Sequence, residues 1–131
     1  MTGSSDIILD TNIVIELFKG NPDIIKQLGD LPLVKVSNVV LGELLLGAYR
    51  SSNTNKHLSQ INGFLKKCEL IGTDANTADT YAVLKTALLN KGKPIPENDI
   101  WIAAIAKQHK LTLITRDVHF GAVNGLKIEK W

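Results

Sequence analysis

The sequence predicts an α/β fold: a parallel-type sheet with helices on both faces. Two observations predict it. Short apolar runs of strand length alternate with stretches of helical period, as βαβ units require. Two of those runs, ending at Leu9 and at Ile114, lead straight into polar residues carrying a carboxylate: Asp10-Thr11-Asn12 and Thr115-Arg116-Asp117. Right-handed crossovers bring strand C-termini to one edge of such a sheet, and ligands sit at that edge. Asp10 and Asp117 are therefore predicted to share it.

The elements follow in order. Residues 7–9 form a buried strand, and Asp10 caps a helix from Ile13 to Phe18 that Gly20 and Pro22 stop. A second short helix covers 23–28 and a second strand 33–36. Ser37 or Asn38 caps a helix to about Arg50; another helix runs over 57–66. Leu70-Ile71 is a short third strand. A longer helix spans 74–89 and ends in Asn90-Lys91-Gly92. The prolines of Lys93-Pro94-Ile95-Pro96 keep the residues before them extended, which makes a stiff loop. Asn98 then caps a helix to about His109. Residues 111–114 and 126–128 supply the last strands.

Composition sets limits. The 131 residues suit one domain, 1–131, with one core. Hydrophobic residues at 44% and charged residues at 21% argue against disorder. Aromatics are 5%, too few for a reader of stacked single-stranded bases. A lone Cys68 excludes an internal disulfide and a cysteine zinc cluster. The leader Met1-Thr2-Gly3-Ser4-Ser5-Asp6 lacks the basic residues of a signal peptide. Glu43 interrupts the best apolar run, so no membrane span is expected and the protein reads as soluble and cytoplasmic.

Four acids carry the chemistry. Around its helix, Glu43 lies within about 60° of Val39, Val40, Leu46 and Gly47, so it reads as core-facing. An unpaired buried charge costs several kcal/mol. A buried basic partner is the alternative, but the chain has only two arginines and no lysine in a comparable apolar stripe. Asp99 occupies a first helical turn, on one face with Ile102, Ala103 and Ala106. The helix dipole alone favours an acid there, and Asp10 and Asp117 each have a capping alternative. Together the four are harder to explain so. In one cleft, each like-charge pair at about 6 Å costs about 3 kcal/mol at an effective dielectric near 20. A bound cation relieves that cost, and hard oxygen donors select Mg²⁺ or Mn²⁺ over Zn²⁺.

Thr115 offers a hydroxyl and Asn12 an amide beside the acids; each is otherwise a turn or cap residue. His57, His109 and His119, at unrelated spacings, read as surface or loop residues. Without the four acids the remainder carries 15 basic against 9 acidic groups, and the basic excess lies in residues 66–131. A cationic rim around an acidic metal pocket suits a polyanion attacked at phosphate. Arg116 either contacts phosphate or stays a surface charge.

These segments resemble the PIN-domain nucleases, and among them the VapC toxins of type II toxin–antitoxin pairs. Ile8-Leu9-Asp10-Thr11-Asn12, Gly42-Glu43-Leu44, the stretch from Gly92 to Ala104 containing Pro94-Ile95 and Asn98-Asp99, Leu113 to Phe120, and Gly125 to Ile128 carry the resemblance. It spans nearly the whole chain. It implies an αβα sandwich around a parallel sheet of four or five strands. It implies Asp10, Glu43, Asp99 and Asp117 as catalytic metal ligands for Mg²⁺ or Mn²⁺, with Thr115 beside them. It further implies RNA hydrolysis (tRNA foremost), a homodimer, and a VapB-type antitoxin through which alone DNA is contacted. A receiver domain would need adjacent acids after the first strand; a haloacid-dehalogenase-type phosphatase would need Asp where Asn12 stands. A PIN-like binding module and a housekeeping RNA-processing nuclease remain as alternatives.

Overall fold

The computed structural model describes residues 6–29, 31 and 33–131; most of the polar leader lies outside them. Five parallel strands form one sheet in the order β3-β2-β1-β4-β5: β1 Ile7–Leu9, β2 Val34–Ser37, β3 Cys68–Ile71, β4 Thr112–Ile114 and β5 Ile128–Glu129. The helices are α1 Thr11–Phe18, α2 Pro22–Gly29, α3 Asn38–Arg50, α4 Thr54–Leu65, α5 Ala75–Asn90 and α6 Glu97–Gln108, with a 3-10 turn at Val118–Ala122. This is the predicted α/β architecture with five strands.

Burial explains the order of the sheet. Ile8 and Leu9 of central β1 are fully buried, as are Val36, Leu113 and Ile114 beside them. The edge strands β3 and β5 have exposed residues, including Leu70 and Ile128. Register places Leu9 between Val36 and Ile114, and the Asp10 amide donates to the Ile114 carbonyl at 2.9 Å. The chains leaving β1 and β4 therefore emerge side by side. α6 is buried along Ile102-Ala103-Ala104-Ile105-Ala106 and packs on α5, α3 and β4. Its small residues let neighbouring elements approach closely, which sets Asp99, one turn earlier, against the sheet edge.

Three local expectations change. Ser37 caps α3, its hydroxyl accepting from the Val40 amide at 3.1 Å. Asn98 caps nothing: Pro96 holds the N-cap position of α6 with φ −54°, and Asn98 falls in the first turn with its side chain free to reach elsewhere. The apolar stripe around Glu43 divides. Val40, Leu44 and Ala48 face the core, whereas Leu46 is 58% exposed and Gly47 is exposed. Glu43 thus stands at the rim of the core, half-buried in the cleft, and not at the centre of a core-facing face. Ile13 is a core residue, with Leu17 and Phe18 partly buried against the same core. The last strand starts later than expected, at Ile128, after a turn in which Gly125 has φ +73°.

Candidate active site

The sheet's C-terminal edge assembles the four acids from four places: Asp10 after β1, Asp117 after β4, Glu43 on α3 and Asp99 at the start of α6. Asp10 is 4% exposed. One of its oxygens accepts from the Thr11 amide at 2.9 Å and the other from the Thr115 hydroxyl at 2.7 Å. Burial still pushes its carboxyl above the usual range, against those hydrogen bonds, and the charges of Asp99 and Glu43 push the same way.

Glu43 is oriented by two side chains. The Thr11 hydroxyl donates to Oε1 at 2.5 Å and the Asn98 amide to Oε2 at 3.4 Å. Among the described residues no lysine or arginine forms an ion pair with it, so the buried-basic-partner alternative fails. Asp99 and Asp117 meet at His119. Its Nε2 contacts Asp99 Oδ2 and its Nδ1 lies 2.7 Å from Asp117 Oδ1. A ligand atom from each of these three residues lies within 4.8 Å of the other two. Burial raises the Asp99 carboxyl; the His119 contact opposes this, and the charges of Asp117 and Glu43 add to it. Asp10 and Glu43 stand outside this tight trio, yet the charge of Glu43 acts on Asp99 and that of Asp99 on Asp10.

Thr115 joins the halves of the site: its buried hydroxyl donates to Asp10 and accepts from the Asp117 amide at 3.0 Å. Asn12 takes its turn-residue alternative here, and Arg116 joins two segments of the chain. Asn12 Oδ1 accepts from the Arg116 amide at 3.4 Å, which ties the β1 and β4 loops together. The Arg116 guanidinium donates to the Trp131 carbonyl at 2.9 Å and lies 3.5 Å from Glu16, so it holds the C-terminus against α1. Cys68 offers no nucleophile, since burial pushes its thiol up to about 11.

Sequence reasoning set His119 aside as a surface or loop residue. It does sit in the 3-10 turn, but its ring bridges two of the acids. The available signal was its place two residues after Asp117 in a loop already suspected of chemistry. Thr11 and Asn98, which aim Glu43, carry no signal in the sequence beyond their flanking and capping positions.

The donor set fits a hard divalent cation. Carboxylates crowd here with one imidazole and, among the described residues, no lysine or arginine paired with them, and Asp10 and Asp99 resist ionising. Bound positive charge reverses that resistance. The fold and the site together define an α/β protein with a cluster of acids at the C-terminal edge of a parallel sheet.

The chain belongs to the PIN domain family, whose family model matches residues 7–126. Within that family it is similar to VapC nucleases. It is 32% identical over 127 residues to the tRNA(fMet)-specific endonuclease VapC of Shigella flexneri, covering 95% of this chain and 96% of that protein. It is 31% identical over 129 residues to Ribonuclease VapC2 of Rickettsia felis, with the same coverage. Among solved structures it superposes on VapBC2 from Rickettsia felis bound to a promoter DNA fragment, with TM-score 0.91 and 30% identity over 95% of this chain and 98% of that one. The DNA-bound VapBC of Salmonella typhimurium gives TM-score 0.92 at 25% identity, covering 97% and 98%.

Proposed function

We propose that this chain is a metal-dependent endoribonuclease and the toxin of a VapBC-type toxin–antitoxin pair, working as one domain over residues 1–131. The observation that carries this reading is the convergence of Asp10, Glu43, Asp99 and Asp117 at one sheet edge, in a chain whose relatives are named as ribonucleases. Asp10, Asp99, Glu43 and Asp117 would hold Mg²⁺ or Mn²⁺, directly or through water. When bound, the cation supplies a more acidic water and a polarised phosphodiester. The chain's own residues do the rest. Thr115 fixes the Asp10 carboxylate and the Asp117 backbone together. Thr11 and Asn98 fix the Glu43 carboxylate, and His119 holds Asp99 and Asp117 at one separation. A carboxylate of the set takes the proton of the attacking water.

The substrate is RNA, with tRNA foremost, as the Shigella relative's name suggests. The partner is a VapB-type antitoxin, and DNA is reached only through it, in keeping with the DNA-bound VapBC neighbours. Two copies of the chain pair; exposed apolar side chains such as Leu46 and Tyr49 are available for assembly. No helix among the described residues is long and apolar enough to cross a membrane, and the site of action is the cytoplasm.

The test is cleavage of total tRNA by purified protein free of antitoxin, with Mg²⁺, Mn²⁺ or EDTA, beside Asp99→Asn. Cleavage that needs metal and vanishes in the variant supports the reading. Folded protein that binds Mn²⁺ without cutting points to a substrate outside the pool. Absence of both cleavage and metal binding would leave a PIN-like binding module.

A further inference from the structure

We infer that the cleft between the 91–95 loop and the Val118–Ala122 turn is the channel for the RNA strand leaving the scissile phosphate. The inference rests on the ribonuclease reading and adds where the substrate lies. The cleft has a volume of about 590 Å³, within the ~300–1,000 Å³ of pockets that hold small ligands, and so has room for a nucleotide. Its wall includes His119, whose two ring nitrogens contact Asp99 and Asp117. A chain seated in the cleft is thus separated from the acid cluster by one imidazole ring.

Its lining matches a nucleotide in both parts. Ile95 and Val118 offer apolar surface to a base, and Val118 is 87% exposed although it lies between two site residues. Lys91 and Lys93 offer charge to phosphate. Among the described residues neither pairs with a carboxylate. The Lys91 ammonium instead bonds the Ala122 carbonyl at 3.3 Å and Asn124 Oδ1 at 2.7 Å, bracing the loop against the turn. That division leaves Lys93 as the cation for the strand, with Lys91 setting the width of the cleft. Charge complementarity favours a polyanion over an apolar or basic peptide here. The groove between α1, α3 and α4 is lined by Glu43, Lys19, Lys56 and His57 as well as by Ile15, Phe18 and Leu44. Lys19 there is paired with Glu16, and the groove lies away from Asp99, Asp117 and His119, so it makes the weaker case for a strand.

The experiment compares wild type with Lys93→Ala and Gly121→Glu, using Lys26→Ala on α2 as control. A Cβ at Gly121 meets nothing within 4 Å and its backbone is not left-handed, so a side chain can start there without strain and the glutamate adds charge to the cleft wall. The readouts are kcat and KM on bulk tRNA, fluorescence anisotropy of fluorescein-labelled bulk tRNA across a salt series, and Mn²⁺ binding. Lys93→Ala should raise KM about fivefold at unchanged kcat and Mn²⁺ affinity. It should also flatten the log–log salt slope by about 0.7, the value for one phosphate contact on a single strand. Gly121→Glu should raise KM at least tenfold. Wild-type-like KM and salt slope in both variants, with wild-type cleavage intact, overturns the channel and spares the nuclease reading. A wild-type protein that neither binds nor cuts tRNA removes the nuclease reading and the channel together.

Discussion

Replacing Asp99 by Asn removes one charge from the crowded acids and should separate their cost to folding from their use in binding a cation. Asp99, Asp117 and His119 present ligand atoms within 4.8 Å of one another. At that separation two carboxylates repel by about 3 kcal/mol at an effective dielectric near 20. The Asp117 side chain is 37% exposed, so solvent screening reduces this to about 1 kcal/mol. For a chain of this length 1 kcal/mol moves the melting temperature by ~3–5 °C. In EDTA, Asp99→Asn should therefore melt a few degrees above wild type. The order reverses with metal. Mn²⁺ at a hundredfold excess over its Kd stabilises wild type by ~2.7 kcal/mol, or ~10 °C. A hundredfold loss of affinity leaves the variant ~0.4 kcal/mol, or ~2 °C, at the same concentration. Differential scanning fluorimetry with and without Mn²⁺ reads both effects. A variant that melts below wild type in EDTA, yet gains the full shift with Mn²⁺, would refute Asp99 as both charge burden and ligand.

Further predictions follow from the same geometry. His119→Gln breaks the bridge and should weaken Mn²⁺ binding by about tenfold, as loss of a group that orients metal ligands does; calorimetry showing unchanged affinity would make the contact incidental. Thr115→Val removes a donor to Asp10 and an acceptor from the Asp117 amide, and should cost about 2 kcal/mol in chemical denaturation. Ser37→Ala removes the cap of α3 and should cost about 1 kcal/mol, with urea unfolding as the measure. The pH dependence has a definite sign. Burial raises Asp10 and Asp99 from the ordinary value of 3.8, so the folded chain holds their protons longer than the unfolded chain. Their contribution is fully present below 3.8 and is lost as pH rises through the raised values. Glu16, Asp74 and Glu97 have lowered values, so their opposite contribution is complete once pH passes the ordinary carboxylate range. As pH rises from the ordinary carboxylate range through the raised values, melting of wild type in EDTA should therefore lose the Asp10 and Asp99 contribution. An Asp10→Asn/Asp99→Asn double variant should show a flatter profile; parallel profiles would contradict the assignment.

The layout of the fold was written in local pattern. Ile7-Ile8-Leu9 and Leu113-Ile114 are short apolar runs bounded by polar turns, which is what strands buried on both faces require, and they are strands. Asp10 and Asp117 were legible because right-handed crossovers leave few places for the residue after a strand to go. Asp99 was legible from its place in a helical first turn, above a buried small-residue face. The hardness of the donors follows from residue type alone.

Glu43 marks where local pattern stops. Helical period gave its direction around its own axis but not the neighbours it meets. α3 presents Val40, Leu44 and Ala48 to the core, which turns Glu43 to the rim, where Thr11 and Asn98 hold it. The same holds for Arg116, committed to Trp131 and Glu16, and for Asn12, committed to the Arg116 backbone. His119 is the clearest case. A ring that touches carboxylates from two elements depends on the distance between the start of α6 and the loop after β4. The packing of α6 beside β4 sets that distance, across residues far apart in sequence, and no spacing along the chain encodes it.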